Sequence, residues 1–262
     1  MIKFLKIIVV AITLFGCATG ASNSDGAGNA TLPPPSLEQI ADGVWIHKSY
    51  HHIEPWGPIL SQGLIVQSYG GAELFLVDTA WNNADTERLI ELIKVELGAI
   101  PTTAIITHAH DDKMGGIETL HKYGIETAAH KFTNEDAPKR GLTPASESYD
   151  LDTSHMMVIA GSGGFYEVYY PGPGHTRDNI VVHTLDGAKI LFGGCLIRPG
   201  DSNTLGNTAD GDVPNWADAV HNVANAFPEA EIIIPSHGPM GGRELLDHTI
   251  ALAEEAAAAR AQ

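Results

Sequence analysis

The sequence reads as a single α/β domain. Short apolar runs alternate with amphipathic helical patterns from residue 37 onward, no break in composition follows residue 35, and 262 residues at 44% hydrophobic content suffice for a proper core. The same numbers exclude disordered and fibrous classes. Fifteen Lys and Arg against 32 Asp and Glu give a net charge of -17, which argues against a polyanion-binding surface and against nucleic acid as a partner. Two cysteines, Cys17 and Cys195, exclude a disulfide-stapled fold.

Strand patterns fall at residues 43–47, 63–68 and 73–77, with a Tyr69-Gly70-Gly71 turn making the last two a meander. Residues 84–97 place Leu89, Ile90, Ile93 and Leu97 on one side at helical spacing, with Glu87, Arg88, Glu91, Lys94 and Glu96 elsewhere, which predicts a surface helix. Further apolar runs lie at 104–106, 165–170, 180–185, 189–192 and 231–234. Helical patterns fill 215–227, opening just after Pro214, and 243–260.

The N-terminal segment reads as an address. In residues 1–16, Lys3 and Lys6 precede an apolar run at 7–15, which is a signal peptide and too short to span a bilayer as a mature helix. Leu14-Phe15-Gly16-Cys17 resembles a bacterial lipobox, in which the cysteine is diacylated and becomes the new N-terminus. Ala18 after that cysteine favours the outer membrane by resemblance to Gram-negative lipoproteins, so the expected location is the periplasm with a membrane tether through Cys17. The competing reading is cleavage near Ala21, which discards Cys17. Residues 17–35 then form the lipid attachment site and a Gly/Ala/Ser/Asn-rich flexible linker reaching roughly 20 to 25 Å, and 36–262 the folded domain. Without residues 1–16 the count is 13 cations against 32 acids, a charge of -19.

The chemistry lies just past the strands. Four apolar runs end in residues able to bind a metal: His108-Ala109-His110-Asp111-Asp112-Lys113-Met114-Gly115-Gly116, Pro171-Gly172-Pro173-Gly174-His175, Gly193-Gly194-Cys195 and Pro235-Ser236-His237-Gly238. Residues leaving strands at one edge of a sheet converge on one cleft, and small neighbours let the backbone approach closely. A single His after a strand is more often a hydrogen-bonded structural residue, and a lone Cys a small buried hydrophobe. Four such turns in the same setting outweigh that reading. His-x-His-x-Asp on an extended turn puts three donors within reach of one site. The six candidates are His108, His110, Asp112, His175, Cys195 and His237, and a set of imidazole, carboxylate and thiolate suits zinc over magnesium or calcium.

These motifs, together with Leu74-Phe75-Leu76-Val77-Asp78-Thr79-Ala80-Trp81 and Leu205-Gly206-Asn207, resemble the metallo-β-lactamases of subclass B1 over nearly all of residues 37–262. The resemblance implies an αβ/βα four-layer sandwich, two sheets face to face with helices outside, and two zinc ions (Zn2+) as cofactors. His108, His110 and His175 would hold the first, and Asp112, Cys195 and His237 the second. Superfamily members that cleave other esters usually carry His directly after the motif's Asp and an acidic residue bridging the metals; here those features are replaced by Lys113 and Cys195.

Zinc lowers the pKa of bound water from near 16 to about 7, so the resemblance implies a zinc-bound hydroxide acting on the β-lactam amide of penicillins, cephalosporins and carbapenems, with no protein nucleophile. Asp112 would orient the nucleophile. Asn207 matches the family residue beside the developing oxyanion; alternatively it is a polar loop residue. Arg198 stands where the family usually has a Lys contacting the substrate carboxylate; otherwise it is a solvated loop arginine. Residues 49–62 join two strands and correspond to the family's mobile flap, with Trp56 at an apolar tip or folded onto the core. Trp81 matches the apolar wall of the cleft, and Asp78 is a candidate hydrogen-bond partner for a ligand. The alternative function is a zinc hydrolase of another ester, lactone or thioester on the same fold; a non-catalytic zinc-binding lipoprotein is disfavoured because open coordination positions are what catalysis needs.

Overall fold

The computed structural model of the chain describes residues 32–68, 71, 73–160, 165–184 and 189–261. The signal peptide, Cys17 and the linker to residue 31 lie outside the described residues, as do Tyr69, Gly70 and Leu185. The first sheet has seven strands in chain order. Strands β1 (Ser36–Ala41), β2 (Val44–Ile53), β3 (Gly57–Gln67) and β4 (Leu74–Val77) form an antiparallel meander. Helix α1 (Asn83–Leu97) leads to β5 (Thr103–Ile106), short helices α2 (Asp111–Met114) and α3 (Ile117–Lys122) to β6 (Glu126–His130), and α4 (Lys131–Asp136) with a 3-10 turn (Ala137–Arg140) to β7 (Glu147–Tyr149). β4 through β7 are parallel, as crossover helices require. The second sheet runs β12-β11-β10-β9-β8, built from β8 (Met156–Ala160), β9 (Phe165–Tyr169), β10 (Val181–Thr184), β11 (Ile190–Gly194) and, after helix α5 (Val213–Ala226), β12 (Ile232–Pro235). Helix α6 (Glu244–Arg260) closes the chain.

Side-chain alternation assigns the layers. Successive residues of a strand point to opposite faces. Leu64, Val66, Phe75 and Val77 therefore face Val168, Val182, Ile190 and Phe192 of the second sheet, forming the core between the sheets. Their neighbours Ile65, Leu74 and Leu76 face outward, onto Leu89, Ile90 and Ile93 of α1. On the far side Val181, Leu191 and Ile233 meet Trp216, Val220 and Val223 of α5 and Leu245 and Leu246 of α6. Both faces of each sheet are covered, which is why the central strands read as continuous apolar runs rather than alternating ones. The expected αβ/βα four-layer sandwich is what the structure has. Helix α1 starts on Asn82, whose side chain accepts from the Asp85 N–H, and ends at Gly98 at φ 77°.

The structure corrects several boundaries. Residues 49–62 are not a connection but paired strand: β2 and β3 stay in register from Val44 opposite Val66 to Ile53 opposite Gly57, so only Glu54, Pro55 and Trp56 form the tip. Polar residues and two prolines hid this, because a hairpin that projects past the core needs no apolar face. Strands β1, β6, β7 and β8 and helices α2, α3 and α4 were not predicted; α2 has four residues and α3 and α4 six each, too few to show a helical period. Helix α5 opens two residues earlier than expected, with Pro214 inside its first turn, where the missing N–H costs nothing.

Candidate metal centre

All six candidate ligands meet at one end of the sandwich. They leave both sheets rather than one: His108 follows β5 of the first sheet, whereas His175, Cys195 and His237 follow β9, β11 and β12 of the second. Asp112 is likewise not on an extended turn. It lies in the first turn of α2, with His110 as the residue preceding the helix in extended conformation (φ -118°, ψ 157°). The reversal from strand to helix lets Asp112 reach Cys195 and His237 while its donor atom stays within 4.8 Å of those of His108 and His110.

Two compact triangles of donor atoms result. His110 Nδ1 lies 3.1 Å from His108 Nε2 and 3.2 Å from His175 Nε2, and the three rings stand nearly perpendicular to one another, at 77°, 80° and 87°. Asp112 Oδ2, Cys195 Sγ and His237 Nε2 are each 3.4 Å apart. Tetrahedral zinc with bonds of about 2.0 to 2.3 Å separates its ligand atoms by roughly 3.3 to 3.8 Å; the Asp112/Cys195/His237 triangle falls in that range and the imidazole triangle sits 0.1 to 0.2 Å inside it, close enough for the ion.

Outer hydrogen bonds fix which ring nitrogen faces inward. Thr107 Oγ1 donates to Asp78 Oδ2 and is therefore left to accept from His108 Nδ1 at 3.3 Å. His110 Nε2 faces Asp210 Oδ2 at 3.1 Å, and His237 Nδ1 donates to the Leu60 carbonyl at 2.6 Å. The opposite nitrogens, carrying lone pairs, point at other donor atoms. Lone pairs facing one another at such distances repel unless a cation lies between them. Of the four ligand imidazoles, only that of His175 lacks an outer partner, at Nδ1.

In the imidazole triangle charge is arranged to the same end. Burial, then the neighbouring imidazoles, hold His108 well below its ordinary value, and burial with His110 does so for His175, which keeps both rings in the neutral, ligating form. Burial opposes the charge on Asp112, but Lys113 and then His237 hold it well below the usual carboxylate range. His237 differs: burial opposes its charge, yet the Cys195 sulfur and Asp112 raise it to about 10, so its inward nitrogen carries a proton that metal binding has to displace.

Lys113 is the residue whose role sequence reasoning missed. Its ammonium is fully buried, donates to Ser61 Oγ (2.8 Å) and the Gln62 carbonyl (2.9 Å), and lies 3.3 Å from Asp112 and 3.8 Å from Asp78. A lysine after two aspartates reads as helix surface, and nothing local signals its burial. Asp78, at φ 65°, does not touch a ligand as expected. It accepts from the Thr107 N–H and hydroxyl and reaches His108 only through Thr107. Gly115 and Gly116 are required by space: a Cβ at Gly115 would sit 2.3 Å from the Trp81 carbonyl, and one at Gly116 1.8 Å from Thr86 Oγ1.

The donors open onto a cleft of about 1000 Å³ lined also by Ile53, Trp56, Ile59, Trp81, Arg198 and Asn207. Trp56 is 71% exposed at the hairpin tip, the first of its two expected placements and not the core. Trp81 stacks on His51, centroids 5.4 Å apart, and stands 6.5 Å from the His237 ring. Arg198 is half-buried rather than solvated: its guanidinium lies under Gly206 and donates to Ser202 Oγ at 3.2 Å. Asn207 is exposed on the facing loop, with Oδ1 accepting from the Ala209 N–H and no partner for its NH2 among the described residues.

A four-layer sandwich with two adjoining donor triangles at its edge, one all imidazole and one His/Asp/Cys, defines a protein built to hold metal at the mouth of an open cleft. The family model described as the metallo-β-lactamase superfamily matches residues 59–237, and the chain belongs to that superfamily. It is 34% identical to a metallo-β-lactamase type 2 of Pseudomonas aeruginosa over 93% of this chain and 92% of that protein. It is 36% identical to one of Bacillus cereus over 83% and 82%. Among solved structures it is similar to the metallo-β-lactamase FIM-1 of Pseudomonas aeruginosa in its mono-zinc form (48% identity, TM-score 0.80, 86% of this chain and 97% of that one). It is also similar to a metallo-β-lactamase from Hirschia baltica (43%, 0.78, 84% and 98%).

Proposed function

We propose that the protein is a zinc-dependent β-lactamase of subclass B1, hydrolysing the amide of penicillins, cephalosporins and carbapenems and so conferring antibiotic resistance. The observation that carries this reading is the pair of donor triangles with lone pairs turned inward at the base of a cleft with an apolar rim. His108, His110 and His175 would hold one zinc ion and Asp112, Cys195 and His237 a second. When bound, zinc supplies a Lewis acid and makes its water acidic enough to act as the nucleophile at neutral pH.

The chain's own residues do the rest. Asp112, held ionised by Lys113, accepts the hydrogen bond that orients the attacking water. The Asn207 NH2 donates to the lactam oxygen as negative charge grows there. The Arg198 guanidinium anchors the carboxylate carried by bicyclic β-lactams, in a position that is half-buried and therefore less screened than a surface charge. Trp56 and Ile59 from the hairpin cover the substrate's apolar side, and Trp81 forms the opposite wall. The domain is exported through a signal peptide at residues 1–16 and tethered to the outer membrane at Cys17, a reading supported by the sequence motif. Labelled palmitate that fails to enter the protein, or a mature N-terminus beyond Cys17, sinks the tether.

Purified protein assayed with added zinc and with a chelator, against a penicillin, a cephalosporin, a carbapenem and a simple lactone, tests the reaction. Chelator-sensitive lactam cleavage is expected. Chelator-sensitive lactone cleavage without lactam cleavage establishes the other hydrolase reading instead.

A further inference from the structure

His110 is the most exposed of the three clustered imidazoles. It precedes a four-residue helix, its backbone accepts only the bonds of that first turn, and its side chain is 18% exposed at the cleft wall. A neutral imidazole carries its proton on either nitrogen, and only the form with Nδ1 bare presents a lone pair to the other two rings. The choice is made 100 residues further along the chain by Asp210, whose Oδ2 lies 3.1 Å from His110 Nε2. The same oxygen accepts from Arg140 Nη1 at 2.9 Å, at the end of the 3-10 turn on the other wall of the cleft.

We propose that Asp210 and Arg140 are positioning residues for the three-imidazole site: Asp210, shared between His110 and Arg140, selects the ligating nitrogen of His110 and clasps the Asn207 loop to the cleft wall. The proposal rests on the metal reading of the site and not on the identity of the substrate.

The loop between Arg198 and α5 explains why a clasp is needed. It carries Asn207 on its exposed side and has no regular structure over 203–212. Leu205 anchors it in the core against α5 and α6; its polar ties among the described residues include Arg260 Nη2 donating to Thr208 Oγ1 at 2.8 Å and the Asp212 N–H donating to the Gly174 carbonyl at 2.8 Å beside His175, with Asp210 between them in the chain. Thr208, Asp210 and Asp212 thus tie the loop to the C-terminal helix, to His110 with Arg140, and to the turn that carries His175. Movement of this loop would displace the second imidazole ligand and the oxyanion donor together, through one carboxylate.

Removing an outer-sphere partner of a metal-bound imidazole costs about 10- to 100-fold in metal affinity. The test uses the full folded chain stripped of metal, titrated with zinc alone against a competing chelator, and with cobalt(II), whose ligand-field bands report the imidazole site and whose thiolate charge-transfer band reports the Cys195 site. Asp210→Asn and Asp210→Ala are expected to weaken the imidazole site at least about tenfold while the thiolate band is kept. Arg140→Lys retains a single charged donor and keeps affinity within about threefold, whereas Arg140→Ala weakens it. The double variant Arg140→Ala/Asp210→Ala binds no more weakly than Asp210→Ala, because Arg140 acts only through that carboxylate. Circular dichroism of the metal-free variants separates loss of fold from loss of site, and Asp210→Asn, equal in size, decides if the alanine variant unfolds. Unchanged imidazole-site affinity in Asp210→Asn overturns the proposal, as does an Arg140→Ala effect that persists in full without Asp210. Failure of the unaltered protein to bind zinc at all overturns the metal reading itself.

Discussion

The Lys113 ammonium lies 3.3 Å from the Asp112 carboxylate, and both side chains are buried beneath the metal-binding cleft. Burial disfavours the charge on Lys113, but Asp112, the Cys195 sulfur and Asp78 outweigh it and hold the group above its ordinary value. Removing one partner of such a pair leaves an uncompensated buried charge, at a cost of about 3 to 5 kcal/mol. Lys113→Met is therefore expected to lower the melting temperature of the metal-free protein by roughly 10 °C and to weaken binding at the Asp112/Cys195/His237 site. An unchanged melting temperature would show that the ion pair is not a structural element.

Cys195→Ser keeps the size of the side chain but replaces the soft ligand. The expected result is loss of one of two zinc equivalents in metal analysis, with the imidazole site still filled and turnover down at least about tenfold. Two retained equivalents with full turnover contradict the assignment of Cys195.

Arg198 reaches the cleft without a carboxylate partner, its one side-chain bond being to the Ser202 hydroxyl. A charge-assisted hydrogen bond to substrate is worth about 1.5 to 3 kcal/mol. Arg198→Ala is expected to raise KM for a penicillin and a carbapenem about 10- to 100-fold, with kcat within a few-fold. A decarboxylated analogue should show no such rise. Equal KM values for enzyme and variant on the natural carboxylates remove the anchoring role.

His47 makes the outcome at acid pH calculable. It is fully buried, Nε2 donates to the Val77 carbonyl, and burial lowers its pKa to about 4 from 6.5. The unfolded chain therefore binds the extra proton first as pH falls. Stability from neutral His47 is complete above pH 6.5 and is lost as pH falls toward 4, by ~3 kcal/mol in all. Asp78, pushed up to about 7 by burial, contributes with the opposite sign over the same range, so the His47 limb is read as a difference: urea midpoints of the metal-free protein should fall less between pH 7 and pH 4 in His47→Leu than in the parent. A variant with the same acid slope as the parent rules His47 out as its source.

How much of this could be read beforehand depends on whether a feature has a local signature. The six ligands do: each follows an apolar run and sits among small residues, as with Gly174 before His175, where a Cβ would lie 2.5 Å from Leu196. The four-layer arrangement shows in the two-sided apolar strands. The mode of closure has no such signature. Lys113, Asp78 and Ser61 meet only after β3, β4 and α2 pack together, and Asp210 finds Arg140 across 70 residues from within a stretch that reads as loop. Trp56 stays open between tip and core in the sequence because a lone tryptophan is usually buried, whereas here an extended hairpin carries it beyond the core. Outer contacts of a metal site are set by tertiary packing, so their residue types carry no periodicity and no spacing.

Counting metal on the intact protein while following turnover bears on everything above at once. Metal-free protein titrated with zinc, observed by native mass spectrometry alongside carbapenem hydrolysis, should take up two ions and no more, with hydrolysis absent before zinc is added and complete when the titration ends. Carbapenem hydrolysis by the metal-free protein, or a chain that takes up two zinc ions and cleaves no β-lactam, contradicts the assignment of this cleft as a zinc β-lactamase site.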